Sequence, residues 1–518
     1  MKPIKVLKSG GMSTGSAQGY QLLEAEVRKE VHAGNKVVLV VSAPAREGER
    51  RDNRVTELLR RKAKGEDTAE NIIAMYESIA TPLGIKFERN ILDEGFARST
   101  SEDDILFLGE HAQAWQVNRY FNICGLASRW VDARDALITT NNSRSGKVIG
   151  VHRTPFDGSD DVYVIGGFYG RSQEGRTIVL PSGGSDLTAD VLAATLRASE
   201  YVNLKEESGI CAADPRYVPT ATVMRILTYR ELRELAYGGS TVLQEEAMSW
   251  SRKAGVPITV RSLFHPQDPG TRIVRERICT EQPLVGIAAK KGFVLYTLQR
   301  EDDPQFFQDL FEVFSTRAIS IDMIGTENGR VSIAFEESEL EKPAASDIEA
   351  VLGARYNMSA THERQALVSI VGEGITGPIT LQDRIIQVLD GQANARYGPI
   401  LGGRVPSTTI YHIERFGMNS ESGVAQEVMK CFAGVGAPIT GISTTIDSIS
   451  IGTSAHGLSE EIRNMCSYLQ ERISPDTLSV TRNGLQYFGP HRVPSNITVA
   501  VNENNIGRTV NKLYAEFF

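Results

Sequence analysis

The chain has 518 residues, a formal net charge of −8, 41% hydrophobic and 23% charged residues. A chain this long exceeds a single core and implies about two to four domains of ordinary globular composition. The acidic balance, with no basic stripe, argues against nucleic acid as the main partner, and the lack of any run of roughly 18 apolar residues argues against a membrane span.

Ile4–Leu7 reads as a strand. Lys8-Ser9-Gly10-Gly11-Met12-Ser13-Thr14-Gly15 follows, then a helix over 17–32 ended by Gly34-Asn35. Residues 36–42 (KVVLVVS) form a continuous apolar strand of the kind buried on both faces. This strand–helix–strand order points to a parallel α/β sheet. A lysine between a first strand and a Gly-Gly turn can reach phosphate oxygens held by the turn's N–H groups, or it can be an exposed strand-end lysine. Residues 44–53 are charged and read as a loop, with helices over 55–64 and 69–83. Residues 105–127 read as mostly helical, with Gly109-Glu110 near the start. A short strand and the polar turn Asp132-Ala133-Arg134-Asp135 follow, and residues 139–160 read as a polar surface excursion.

The chain is organised around the next stretch. An apolar strand (162–168), charged turn residues (171–176) and a second apolar run (177–180) lead into Pro181-Ser182-Gly183-Gly184-Ser185-Asp186 and a helix to about residue 198. Paired glycines handing over to a helix present backbone N–H groups at a positive dipole end, where an anion such as a nucleotide phosphate binds. Alternatively, Ser185 is only an N-cap and the glycines only turn the chain. A strand at 200–204, a turn-rich loop over 205–216, two helices between 229 and 254, and a final strand at 258–261 complete this region. Residues 270–279 lead out of it.

From residue 284 the pattern becomes β-α-β-β-α with one more strand, which is ferredoxin-like. It restarts at 366 and again at 408, an internal repeat in which the second unit is split. Five scattered cysteines without a Cys-x-x-Cys pair read as reduced thiols of a cytosolic protein. Eight dispersed histidines offer no metal-ligand spacing.

Taken in order, Lys8–Ser13, Val41-Ser42-Ala43, Val55-Thr56-Glu57-Leu58-Leu59, Gly109-Glu110, Asp132–Asp135, Gly167-Phe168-Tyr169-Gly170, Gly183-Gly184-Ser185-Asp186, Ala213-Asp214-Pro215-Arg216 and the closing Leu513–Phe518 resemble the aspartate kinase (aspartokinase) family. The likeness spans nearly the whole chain. It implies an amino acid kinase-like α/β three-layer sandwich with a mainly parallel sheet, followed by ferredoxin-like ACT domains. The implied domains are 1–280 (catalytic), 281–364 (first ACT), 365–405 plus 490–518 (split second ACT) and 406–489 (inserted ACT-like unit). The implied activity is transfer of phosphate from ATP, with Mg²⁺, to the side-chain carboxylate of aspartate.

In the same way, the resemblance implies Lys8 and Asp186 as catalytic, and Thr56, Glu110, Ser182 and Ser185 as substrate-binding. It implies Lys8, Gly10, Gly11, Ser13, Gly183, Gly184, Lys205, Asp214 and Arg216 as nucleotide-binding, with Asp322 at an effector position. A homodimer, an amino acid effector and a cytoplasmic setting complete the expectation; the alternatives are a kinase of another carboxylate and a catalytically weak effector-binding subunit. Two departures stand out. Ser182 replaces the family's substrate-gripping arginine, a charge that Arg171 or Arg176 is expected to supply. The family's phosphate-facing lysine is missing from 239–245, with Lys205 expected in its place.

Overall fold

The computed structural model describes residues 2–46, 54–240, 248–300, 305–327, 329–356, 358–375, 379–389, 395–397, 408–415, 424–434, 439–444, 448–454, 459–475, 477–482, 485–488 and 496–518. Most of the charged loop (47–53) and residues 241–245 of the lysine-lacking segment lie outside the described residues. The described chain falls into two compact units.

The first unit comprises residues 1–210, 223–229 and 241–277. Its elements are β1 (Ile4–Ser9), α1 (Ala17–His32), β2 (Lys36–Val41), α2 (Val55–Ala63), α3 (Ala69–Ala80), α4 (Asn90–Arg98), α5 (Asp103–Leu106), α6 (Leu108–Ile123), β3 (Arg129–Val131), α7 (Ala133–Ala136), β4 (Leu137–Thr139), β5 (Val148–Val151), β6 (Val162–Gly166), β7 (Tyr169–Ser172), β8 (Thr177–Val179), α8 (Gly184–Thr195), β9 (Glu200–Lys205), β10 (Ile226–Thr228), the first residue of α9 (Tyr229–Tyr237), α10 (Ser249–Ala254), β11 (Ile258–Ser262) and β12 (Thr271–Val274). An eight-stranded sheet has the order β10-β12-β11-β9-β1-β2-β6-β3. Every neighbouring pair is parallel except β11–β12. Helices α1, α6 and α8 pack against this sheet. An interior strand of it is the apolar β2, in which residues 37–41 are fully buried, as expected for a strand covered on both faces.

Two expectations need correction. Residues 139–160 are not only a surface excursion: β5 joins a second sheet of order β5-β4-β7-β8. The charged turn at 171–176 closes the β7–β8 hairpin in that sheet, with Gly175 at φ +86. Nor is β11 the last strand, because β12 turns back beside it. Both short strands lack the long apolar run that marks β2.

The second unit takes residues 278–518 together with 211–222 and 230–240, the last carrying most of α9. Its further elements are β13 (Gly286–Gln299), α11 (Phe306–Ser315), β14 (Met323–Glu327), β15 (Arg330–Glu336), α12 (Ile348–Arg355), β16 (Met358–Val371), α13 (Ile379–Leu389), β17 (Ala395–Tyr397), β18 (Thr408–Glu414), α14 (Val424–Gly434), β19 (Ile439–Thr444), β20 (Ser448–Ser454), α15 (Ser459–Ile473), β21 (Thr477–Arg482), β22 (Leu485–Phe488), β23 (Asn496–Asn502) and α16 (Ile506–Phe517). One sheet runs β17-β23-β16-β13-β15-β14-β19-β20-β18-β21-β22.

Three ferredoxin-like strand sets lie side by side in it. One is β16-β13-β15-β14, another β19-β20-β18-β21, and the third β13-β16-β23-β17. The first and third share β13 and β16, each of 14 residues. The register of β13 shifts next to Gly292, whose φ of +88 suits a bulge that divides the strand into two halves. The C-terminal half of β16 pairs with β23 through residues 365–371. Tyr296, Phe314, Phe335, Phe432 and Val480 belong to one apolar cluster, and Val368, Val499 and Leu513 to another.

Candidate active site

Lys8 stands near the C-terminal end of β1, with Val40 of β2 and Asn203 of β9 as its register partners. Its Nζ lies 2.7 Å from Asp186 Oδ1, in the first turn of α8. Asn203 Nδ2 donates to the same oxygen at 3.0 Å and to the Tyr201 hydroxyl at 3.2 Å. Two adjacent parallel strands and one helix start therefore converge on a single carboxylate. Burial works against the Asp186 charge, but the Lys8 and Lys205 cations and the bonds from Lys8 and Asn203 hold its pKa below the usual carboxylate value. Burial also lowers the pKa of Lys205, Asp186 opposing that shift and Lys8 adding to it.

The two glycine turns serve this point in different ways. A Cβ on Gly10 would lie 4.0 Å from Lys8 Nζ, so this backbone borders the ammonium directly. Gly11 is required for close approach rather than for a positive φ: a Cβ there would sit 2.3 Å from the Ala43 carbonyl oxygen. Gly183, at φ +85, is the residue before α8 and needs the left-handed region. The Gly184 N–H bonds the Pro181 carbonyl at 2.9 Å, so this amide is turned inward rather than offered to an anion. Ser13 is fully buried and donates its hydroxyl to Glu206 Oε1 at 3.0 Å, tying the first turn to the loop after β9.

Glu110 is buried in the first turn of α6 and accepts the Ala43 N–H at 3.1 Å. Burial pushes its pKa up to about 7 against the Ala43 bond and the Lys8 charge. Thr56 is half-buried in the first turn of α2. Ser185 is buried, and a Cβ on Gly167 would come 2.7 Å from its Cα, so Gly167 lets the β6–β7 turn close onto α8. Phe168, at φ +74, gives its N–H to the Thr188 hydroxyl at 3.2 Å. Ser182 is exposed and lines a cleft of about 190 Å³.

The structure brings Lys8, Gly10, Gly11, Ser13, Glu110, Ser182–Asp186 and Lys205 into one unit, but it places Asp214, Arg216 and Asp322 in the other. The Asp214 carboxylate accepts the backbone N–H of Arg216 at 2.8 Å and its guanidinium Nε at 2.8 Å. Asp322 accepts the Tyr237 hydroxyl and, at 3.2 Å, the Glu336 N–H; burial raises its pKa to about 6, against the bond from Tyr237.

The expected stand-ins for the missing arginine are elsewhere. Arg171 reaches Asp135 at 3.3 Å, and neither Arg171 nor Arg176 lines the Ser182 cleft, whose cations are Arg60, Lys64 and Arg144. Sequence reasoning also missed Asp103, which is fully buried. It accepts the Ser143 hydroxyl (2.9 Å), the Arg144 N–H (3.4 Å) and the Val179 N–H (3.2 Å). An aspartate at the start of a helix looks like a dipole partner in sequence, and nothing local reveals that it clamps a turn some 40 residues on.

A sequence profile of the amino acid kinase family matches residues 3–262. Aspartokinase 3 of Bacillus subtilis is 27% identical over 428 residues, covering 76% of this chain and 91% of the relative. The crystal structure of Clostridium acetobutylicum aspartate kinase superposes with a TM-score of 0.63 at 21% identity, covering 90% of this chain and all of that one. Escherichia coli aspartokinase III in complex with lysine and aspartate gives 0.58 at 19%, covering 99% of both chains. These likenesses carry the fold. With the profile match spanning half of its length, the chain belongs to the amino acid kinase family.

Proposed function

We propose that the protein is an aspartate kinase: it transfers the γ-phosphoryl group of ATP to the side-chain carboxylate of L-aspartate, giving 4-phospho-L-aspartate and ADP. The observation that carries this is the buried Lys8–Asp186 pair set between two glycine turns. Relatives named as aspartokinases, matched over most of their length, support the choice of acceptor.

An aspartate carboxylate is ionised at neutral pH, so the reaction needs no strong base. One carboxylate oxygen attacks the γ-phosphorus, the bond from that phosphorus to the β–γ bridging oxygen breaks, and ADP leaves with the electron pair. The work of the protein is to align two anions and neutralise their charge. Lys8 supplies a fixed cation beside the backbone of Gly10, and Asp186, itself oriented by Asn203, fixes Lys8. The N-terminal end of α8 adds its dipole. Glu110 pairs with the substrate ammonium, and Thr56 and Ser185 bond its carboxylates. Gly11, Ser13, Gly183 and Lys205 border the nucleotide.

Mg²⁺ accompanies ATP and takes most of its ligands from phosphates and water. Among the described residues no cluster of three or more metal-ligating side chains exists, and Asp186 is the carboxylate that would hold the ion through water. Residues 1–280 form the catalytic part on this proposal. The units 281–364, 365–405 with 490–518, and 406–489 are ACT-type, receiving an amino acid effector near Asp322 in a cytoplasmic homodimer. Among the described residues no helix is long and apolar enough to cross a membrane.

The test is incubation with MgATP and a panel of amino acids and dicarboxylates, with hydroxylamine trapping any acyl phosphate. Aspartyl hydroxamate formed in step with ADP, and lost in Lys8→Met, is the expected result. A different acceptor, or none, overturns the assignment.

A further inference from the structure

The position next to the second glycine turn is Ser182, which carries no charge, yet the cleft that Ser182 lines is rich in cations. Arg60, Lys64 and Arg144 border it, with Glu102 as the one acid, and Phe168 closes it on the side of the β6–β7 turn. We infer that Arg60 and Arg144 bind the substrate carboxylate that is not phosphorylated, doing from α2 and from the β4–β5 turn what an arginine at position 182 would do.

Three observations carry this. First, Thr56, Arg60 and Lys64 are spaced i, i+4, i+8 along α2 and its C-cap, so they form one stripe on one side of that helix. The stripe runs from the hydroxyl assigned to the substrate into the cleft. Second, Arg144 is held in place although its backbone sits at φ +57, a region costly for a residue with a Cβ. The clamp is Asp103, whose buried carboxylate bonds the hydroxyl of Ser143, the N–H of Arg144 and the N–H of Val179. Asp103 thereby fixes the turn that carries Arg144 against β8, the strand that leads to Pro181-Ser182. It is a positioning residue.

Third, both arginines keep partners that are easily exchanged. Arg60 meets Glu57 at 3.0 Å and Arg144 meets Glu102 at 3.2 Å, and the two guanidinium side chains are 43% and 65% exposed. Exposed pairs of this kind hold weakly, so a ligand carboxylate can displace Glu57 or Glu102 at little cost. Ser182, short and exposed, lines the same cleft as these cations. The cation has moved from the glycine turn to the facing helix and turn, and the substrate class stays an amino acid with two carboxylates.

The inference rests on the aspartate kinase assignment for the identity of the ligand, so the experiment separates the two. With saturating MgATP, Arg60→Met and Arg144→Met should each raise the aspartate KM about tenfold or more, with kcat within about twofold. The ATP KM should stay at the wild-type value, which also reports an intact fold. Asp103→Asn should raise the aspartate KM in the same way. Arg171→Met and Arg176→Met should change nothing, and Ser182→Arg added to the double arginine variant should restore the KM. An unchanged aspartate KM in both arginine variants overturns the inference. If the wild type forms no aspartyl hydroxamate, the assignment of function fails, and calorimetric titration with succinate decides the inference by itself. Binding to the wild type that is lost in the double variant supports it; absent or equal binding overturns it.

Discussion

Lys8 and Asp186, 178 positions apart in sequence, meet at 2.7 Å with side chains only 8% and 14% exposed. A buried charge whose partner is removed is costly, whereas removing both charges together is far less so. Lys8→Met should therefore lower unfolding stability by about 3–5 kcal/mol in urea titrations at pH 7. Lys8→Met with Asp186→Asn should recover most of that loss while remaining inactive. Because the Asp186 pKa is depressed in the folded state, its contribution is present above the ordinary carboxylate pKa and lost as pH falls through the folded value. The advantage of the wild type over the double variant should thus fade in strong acid.

Glu110 behaves in the opposite sense. Burial raises its pKa from 4.5 to about 7, so the folded protein binds this proton more tightly than the unfolded chain. Its ionisation costs nothing below pH 4.5, the cost grows between pH 4.5 and about 7, and it is constant above. Glu110→Gln, whose amide oxygen can still accept the Ala43 N–H, should stabilise the protein by about 3 kcal/mol at pH 8 and by almost nothing at pH 4.5. The aspartate KM of the wild type should rise as pH drops below about 7, and the variant's KM should be high and flat with pH.

The glycine turns should respond to alanine for two different reasons. Gly11→Ala drives a Cβ onto the Ala43 carbonyl, so the first turn must separate from the end of β2. Gly183→Ala instead forces φ +85 on a residue that resists it, at a cost of about 1 kcal/mol. The first variant should show the larger fall in melting temperature, and both should raise the ATP KM.

Asp190 of α8 is fully buried and accepts the N–H groups of Trp250 and Ser251, both at 2.8 Å, at the start of α10. Burial raises its pKa to about 6 despite those bonds. Asp190→Ala strands two buried donors and should destabilise by about 2–4 kcal/mol, measured by urea titration at pH 7. Asp190→Asn keeps one acceptor but turns its NH2 toward the other N–H, so it should recover only part of that loss.

The parts of this protein that were legible in sequence are those with strong local signals. The helix at 17–32 and the strand at 36–41 carry uninterrupted patterns and clear stops. Lys8 and Asp186 stand out through the family resemblance of their motifs, while the contact between them comes from the fold. The illegible parts depend on contacts between distant segments. β5 and β12 are four residues long and gain their identity from neighbours. The role of Gly11 depends on Ala43, and that of Asp103 on residues 143–144 and 179. Arg60 looks like an ordinary solvated helix charge until the cleft beside Ser182 is seen.

The pairing of β16 with β23 has a consequence for synthesis. Ser369 and Thr498, whose hydroxyls meet 2.7 Å apart across those strands, are separated by 129 residues. At ribosomal speed that gap lasts on the order of ten seconds. During it, one edge of β16 has no neighbour, while β18 to β21 emerge and pair among themselves. The nascent chain thus carries an open, apolar strand edge until β23 arrives, and this is the interval in which a chaperone has something to hold.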